Sequence, residues 1–254
     1  MIHYHGTPFG GKRDDAAKFF RGRHGFVSWL RDEDLPTIAD VGQGFAIDNG
    51  AYTSWKQGGA GIDLAGYRKF LVEWCRHPRF NFAVIPDTID GSEQDNRDLV
   101  KWWDKNCWHP VRIHGAPVWH LHESLNWLSV LVSRWPIICI GSSGEWSTPG
   151  TDAWKERMNE AMLIICDKDG RPRTRIHGLR MLSRDIVSLY PFWSADSTNV
   201  VQNANNLARF GTYKPSTRVQ RAEQIAGTIE AVQSPATYRK HEHIQAELFA
   251  LVSP

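Results

Sequence analysis

The sequence has no apolar run approaching the about 18 residues that a membrane-spanning helix needs. Its opening, MIHYHGTPFGGKRDD, holds no apolar core of signal-peptide length. The expectation is a soluble protein with no membrane partner. Cysteine is scarce: Cys75, Cys107, Cys139 and Cys166 stand far apart and form neither CxxC nor CxC. That spacing argues against a zinc ribbon and against a disulfide framework, and points to a reducing, cytoplasmic compartment. Neither sign of charge is in excess, since 30 Lys plus Arg against 28 Asp plus Glu leave +2. A chain that coats nucleic acid generally is excluded, but a local basic face is not. Also missing is a phosphate loop: after the first β-like run the chain reads GTPFGGK, which has neither GxGxxG nor the full Walker spacing.

What the chain does have is a series of βα units. Its 254 residues match the roughly 250 of one α/β barrel, and 41% hydrophobic with 23% charged residues are ordinary globular usage. Eight strand candidates alternate with helical patterns: Ile2–Pro8, Gly25–Leu30, Gly44–Ile47, Phe80–Ile85, Ala116–Leu121, Ile137–Ile140, Arg175–Met181 and Phe192–Ala195. Leu64, Tyr67, Phe70, Leu71, Trp74 and Cys75 recur at helical spacing, as do Trp154, Met158, Ala161, Met162 and Ile165. Ser92, Ser124 and Asp152 stand at expected N-caps. Val219, Ala222, Ile225, Ala226 and Ile229 predict one late helix, and Tyr238, Ile244, Leu248 and Leu251 another. The fold expected is α/β, a (β/α)8 TIM barrel of one domain over residues 1–254, with extra C-terminal closing helices over about 216–254. The stretch HGFVSWL reads equally as a turn and short helix, in which case the sheet would be open and doubly wound.

Active sites of such barrels lie at the C-terminal ends of the strands. Asp48 follows FAI, Asp87 follows FAVIP and Asp196 follows FWSA. A single Asp after a strand is ordinarily a cap or turn former. Three at equivalent places point to paired-carboxylate chemistry at a sugar carbon. Histidines form a second set: His3 and His5 on the first strand, His120 and His122 on the fifth, His177 on the seventh. With Asp196, the residues His3, His5 and His120 would suit a metal-dependent hydrolase of the amidohydrolase kind, although no sixth-strand His and no bridging Lys accompany them. His241 and His243 fall on a late helix at i and i+2, where they face different ways.

At Asp48 the chain meets a motif. FAIDNGAY resembles the DSGGF/Y motif of the tRNA-guanine transglycosylases, (β/α)8-barrel enzymes that exchange guanine for a 7-deazaguanine. Four further blocks follow in family order: AVIPDT resembles the segment whose Asp reads the base, IGSSGEW the Gly-Gly…Gly-Glu loop, HGLRML the Leu-Met strand, and WSADST the strand bearing the nucleophilic Asp. Together they span roughly residues 44–200. The family's zinc site, a CxCxxC with a later His, is missing, and the chain is shorter, which counts against a tRNA substrate. The opening YHGTPFGG and the zinc-less barrel resemble the phage-encoded DNA 7-deazaguanine transglycosylases of the DpdA type, which act in phage DNA hypermodification.

That resemblance implies a base-exchange enzyme with no cofactor and no metal. Asp196 would be the nucleophile at C1′, and Asp48 the general acid and then base. Asp87 would accept the N1–H and 2-amino donors of the base. Backbone groups of Gly141 and Ser142 would take the O6 edge, Tyr52 would stack on the ring, Asn49 would orient Asp48 or touch the ribose, and His120 and Met181 would contact the base. The partners implied are DNA, with guanine flipped out or single-stranded, and a free 7-deazaguanine such as preQ0. A tRNA-directed enzyme, the metal hydrolase and a silent nucleic-acid-binding barrel remain alternatives. Basic residues for a phosphate footprint are Lys12, Arg13, Arg21 and Arg23, then Arg171, Arg173, Arg175 and Arg180, or else Lys214, Arg218 and Arg221. Trp is abundant at 12 residues, and Trp119, Trp146 and Trp193 lie next to the expected site in sequence.

Overall fold

The computed structural model describes residues 1–58 and 61–240. Nine parallel strands form a nearly closed barrel with helices between them: β1 Ile2–Gly6, β2 His24–Ser28, β3 Gly44–Asp48, β4 Phe80–Val84, β5 Gly115–Ala116, β6 Val118–His120, β7 Ile137–Gly141, β8 Arg175–Gly178 and β9 Ser194–Ser197. The order around the sheet is β5-β4-β3-β2-β1-β9-β8-β7-β6. β5 and β6 are halves of one expected strand, parted at Pro117, which has no N–H to give a ladder. The first half pairs with β4 through Ala83↔Gly115 and Val84↔Ala116, and the second with β7 through Trp119↔Ile140 and His120↔Gly141. The two ends of the sheet therefore meet on one stretch of chain, as in a TIM barrel. HGFVSWL forms a strand as far as Ser28, so the open-sheet alternative does not hold.

The pleat sorts side chains into two layers. Phe45, Ile47, Ala83, Ile85, Trp119, Ile138, Ile140 and Ile176 point outward and bury against the helices. Tyr4, Phe26, Ala46, Phe82, Val84, Ala116, Val118 and Cys139 fill the interior. Tyr4 meets Phe82 edge-on at 5.8 Å, and Phe26 stacks on His177 at 5.0 Å, which plugs the barrel below its mouth.

The helices carry the stripes that the sequence predicts, including Leu64–Trp74, Asp152–Ile165 and Arg218–Glu230. Ser92 caps with a reciprocal box to Asp95, and Ser124 accepts from the Trp127 amide. At the helix Asp152–Ile165 the expectation is off by one: Thr151 is the cap, accepting from the Trp154 amide, and Asp152 is the first helical residue, where its charge suits the positive end of the helix. Tyr238 also departs from expectation, lying in irregular chain with its amide donating to the Gly170 carbonyl at 2.7 Å. Its expected helical companions Ile244, Leu248 and Leu251, like His241 and His243, are outside the described residues. Among the described residues no helix is long and apolar enough to cross a membrane.

Candidate active site

Three aspartates converge at the C-terminal mouth of the barrel. Ala46 points inward on β3, so the alternation carries Asp48 inward two residues later. Asp196 on β9 is in register with the inward Tyr4 of β1, and Asp87 follows β4. Asp87 and Asp196 are buried, while Asp48 keeps part of its surface open at the mouth. Its carboxyl nonetheless lies deep among protein atoms. Burial, followed by the negative charges of Asp196 and then Asp87, raises the pKa of Asp48 to about 7.

Asp87 is held from both sides. Asn49 donates from Nδ2 to Asp87 Oδ1 at 2.6 Å and to the Ile85 carbonyl at 2.8 Å, and His120 Nε2 lies 2.7 Å from Asp87 Oδ2. Asn49 does not orient Asp48 as the resemblance implies: its amide is committed to Asp87 and Ile85, and its Oδ1 accepts from the Ala51 amide at 2.8 Å. Burial acts to lower the pKa of His120, but the hydrogen bond and charge of Asp87 outweigh it and the net shift is upward. The His120 backbone amide donates to Glu123 Oε2 at 2.9 Å, and Asn96 Nδ2 donates to Glu123 Oε1 at 2.8 Å. His120 Nδ1 is buried with no partner. Across from it, a Cβ on Gly141 would sit 2.9 Å from that nitrogen, so β7 needs a glycine to admit the ring. The Gly141 carbonyl accepts from the Leu121 amide at 3.0 Å, and Ser142 Oγ accepts from Trp154 Nε1 at 2.9 Å, which leaves the latter side chain in the packing layer.

Asp196 is held differently. Its Oδ1 accepts from the Arg180 backbone amide at 2.8 Å and lies 3.4 Å from His177 Nε2, while His177 Nδ1 is 2.8 Å from Ser194 Oγ. Arg180 adopts φ 59, a left-handed conformation uncommon for a residue other than glycine. Its guanidinium lies 3.9 Å above the ring of Tyr52, which belongs to the short helix Ala51–Lys56 after β3. Met181 is buried in the layer between the sheet and the helices.

The hydrolase ligand set does not assemble. His3 and His5 lie on the outer face of β1, where His3 Nε2 meets the Val232 carbonyl at 2.9 Å and His5 Nε2 meets Glu230 Oε1 at 2.7 Å. Tyr4 between them takes the interior position. Among the described residues no three His, Cys, Asp or Glu side chains are grouped to hold a metal ion.

The basic candidates also separate by end. Arg23 pairs with Glu230, Arg173 donates to the Ile164 carbonyl and Arg175 covers Trp193, all before or at the start of a strand. Lys12 and Arg180 follow strands, on the side of the carboxylates. Arg218 and Arg221 are spent on carbonyls, those of Gly10 and Ala204 among them. Of the three tryptophans expected near the site, Trp119 is buried outward, Trp193 precedes β9 at the far end, and Trp146 lies in a 3-10 turn that follows β7. Trp29 was not foreseen, yet its Nε1 donates to the Asn49 carbonyl at 2.7 Å beside the site. Asn96 and Glu123 were missed as well, because neither belongs to a motif. No family model, curated protein or solved structure matches the chain.

Proposed function

We propose that the chain is a base-exchange transglycosylase that replaces guanine in DNA by a 7-deazaguanine. The observation that carries this reading is the pairing of Asp48, protonated up to about pH 7, with Asp196 and Asp87 in one mouth. In the first half-reaction the Asp196 carboxylate attacks C1′ as the bond to N9 breaks, and Asp48 gives its proton to the departing guanine. An ester joins Asp196 to the sugar. In the second, the incoming base loses its N9 proton to Asp48 and its N9 attacks C1′, releasing the Asp196 carboxylate. Two inversions give net retention, and Asp48 ends protonated as it began. Asp87 retains a free lone pair on each oxygen beyond its bonds to Asn49 and His120, which suits it to accept the N1–H and 2-amino hydrogens.

The choice of DNA rests on the opening YHGTPFGG and on the lack of a CxCxxC zinc segment, both features of the sequence. The test is mass spectrometry of nucleosides after incubation of the protein with DNA or tRNA and preQ0. Deazaguanosine in the DNA digest is expected. Its appearance only in tRNA would reassign the polymer, and its absence from both would overturn the reading.

A further inference from the structure

Among the described residues Arg76, Arg175 and Arg180 each cover an aromatic ring without a hydrogen bond or ion pair, but Arg76 and Arg175 stand before or at the start of a strand and Arg180 follows one, at the mouth. Arg157 donates to the Leu121 and Glu123 carbonyls, Arg23 binds Glu230, and Arg221 binds Ala204 and Pro215. The Arg180 guanidinium makes no hydrogen bond or ion pair among the described residues and rests only on the face of Tyr52. Its backbone, by contrast, is fixed: the φ of 59 aims the amide at Asp196. An anchored main chain thus carries an exposed, unspent cation at the entrance to three carboxylates.

We propose that Arg180 is a displaceable plug that becomes a phosphate clamp. In the free protein the guanidinium occupies the Tyr52 face that an extruded base would stack on; when a nucleotide enters, the base takes that face and the guanidinium moves to the adjoining phosphate. This rests on the base-exchange reading above. The exchange is favourable on both sides. A base stacks on an aromatic ring more strongly than an exposed cation does. A guanidinium fork fits two phosphate oxygens, whereas on Tyr52 its five N–H donors have only water. A free base brings no phosphate, so it must displace the plug without that compensation.

The two kinds of ligand therefore respond oppositely to Arg180→Gly. Glycine adopts this φ without strain and retains the amide that meets Asp196, so the substitution removes the side chain and its charge while sparing that contact. Calorimetry with free preQ0 is expected to show binding tighter by about threefold. For DNA, KM is expected to rise on the order of tenfold, with the loss larger in KM than in kcat. The slope of log affinity against log salt is expected to fall by about one. Arg180→Lys should restore the salt slope. The proposal is overturned if Arg180→Gly weakens free-base and DNA binding alike, changes neither, or leaves the salt slope unaltered. If the unaltered protein neither makes deazaguanosine nor binds preQ0, the base-exchange reading itself falls and takes this proposal with it.

Discussion

The charge on Asp196 helps to hold the proton on Asp48. After burial it is the largest influence raising that carboxyl to about 7. In the proposed reaction, attack by Asp196 on C1′ would convert its charge to an ester, so the proton affinity of Asp48 would fall just as the guanine needs a proton. When the second base expelled Asp196 the charge would return, and Asp48 would regain affinity as the N9 proton is taken. For the DNA half-reaction, kcat/KM is expected to fall tenfold per pH unit above about 7. Carbon NMR of Asp48 in Asp196→Asn should report a pKa below 7; an unchanged value would show that the two groups are not coupled.

The same shift bears on stability. An aspartate whose folded pKa is raised binds its proton more tightly folded than unfolded. Its contribution is most favourable below the unfolded value near 3.9, declines as pH rises to about 7, and is a constant penalty above that. Asp48→Asn should therefore stabilise the fold at pH 8 by about 2 to 4 kcal/mol, with the gain shrinking towards pH 4. Urea melts across that range provide the check, and an equal gain at both ends would contradict the assignment.

Gly141→Ala tests the floor of the site. The added methyl would meet His120 Nδ1 at 2.9 Å and Cε1 at 3.1 Å, and the ring cannot retreat without lengthening its bond to Asp87. A loss of about 1 to 3 kcal/mol is expected from the overpacking, together with weaker preQ0 binding. Thermal melts and calorimetry read the two effects separately.

Glu230 acts at the other end of the barrel. The hydrogen bond from His5 first, then the bond and charge of Arg23, outweigh burial and lower its pKa to about 2. A depressed carboxylate stabilises above its unfolded pKa, and the benefit is lost as pH falls through the folded one. Glu230→Gln should cost about 2 kcal/mol at pH 7 and nothing near pH 2, flattening the acid limb of the stability profile.

The strands, Asp48 and Asp196 are legible because they follow from period two: apolar runs mark the sheet, and a polar residue at the end of an inward row must face the mouth. Asp87, by contrast, lies beyond the end of β4, out of step with the inward Phe82 and Val84, and is marked only by following an apolar run. The HxH of β1 shows the limit. Alternation says that His3 and His5 share a face, but which face depends on Tyr4, whose ring fits the barrel interior between Phe26 and Phe82. The same alternation, applied from His120, sends Trp119 outward and removes it from the site. Partnerships across the chain, such as Asn96 with Glu123 over a separation of 27 residues, leave no local trace. Nor does the amide of Arg180, whose role depends on a backbone angle and not on its side chain.

The break at Pro117 has a consequence for how the site comes into being. Asp48 and Asp87 belong to the arc of strands that ends at Ala116, whereas His120 and Asp196 belong to the arc that begins at Val118. The arcs join at two seams, one along this divided strand and one where β1 meets β9. Neither arc alone holds both Asp48 and Asp196, the proposed proton donor and its opposing carboxylate. A chain emerging during synthesis thus cannot bring the three aspartates together until its last strand has closed the ring.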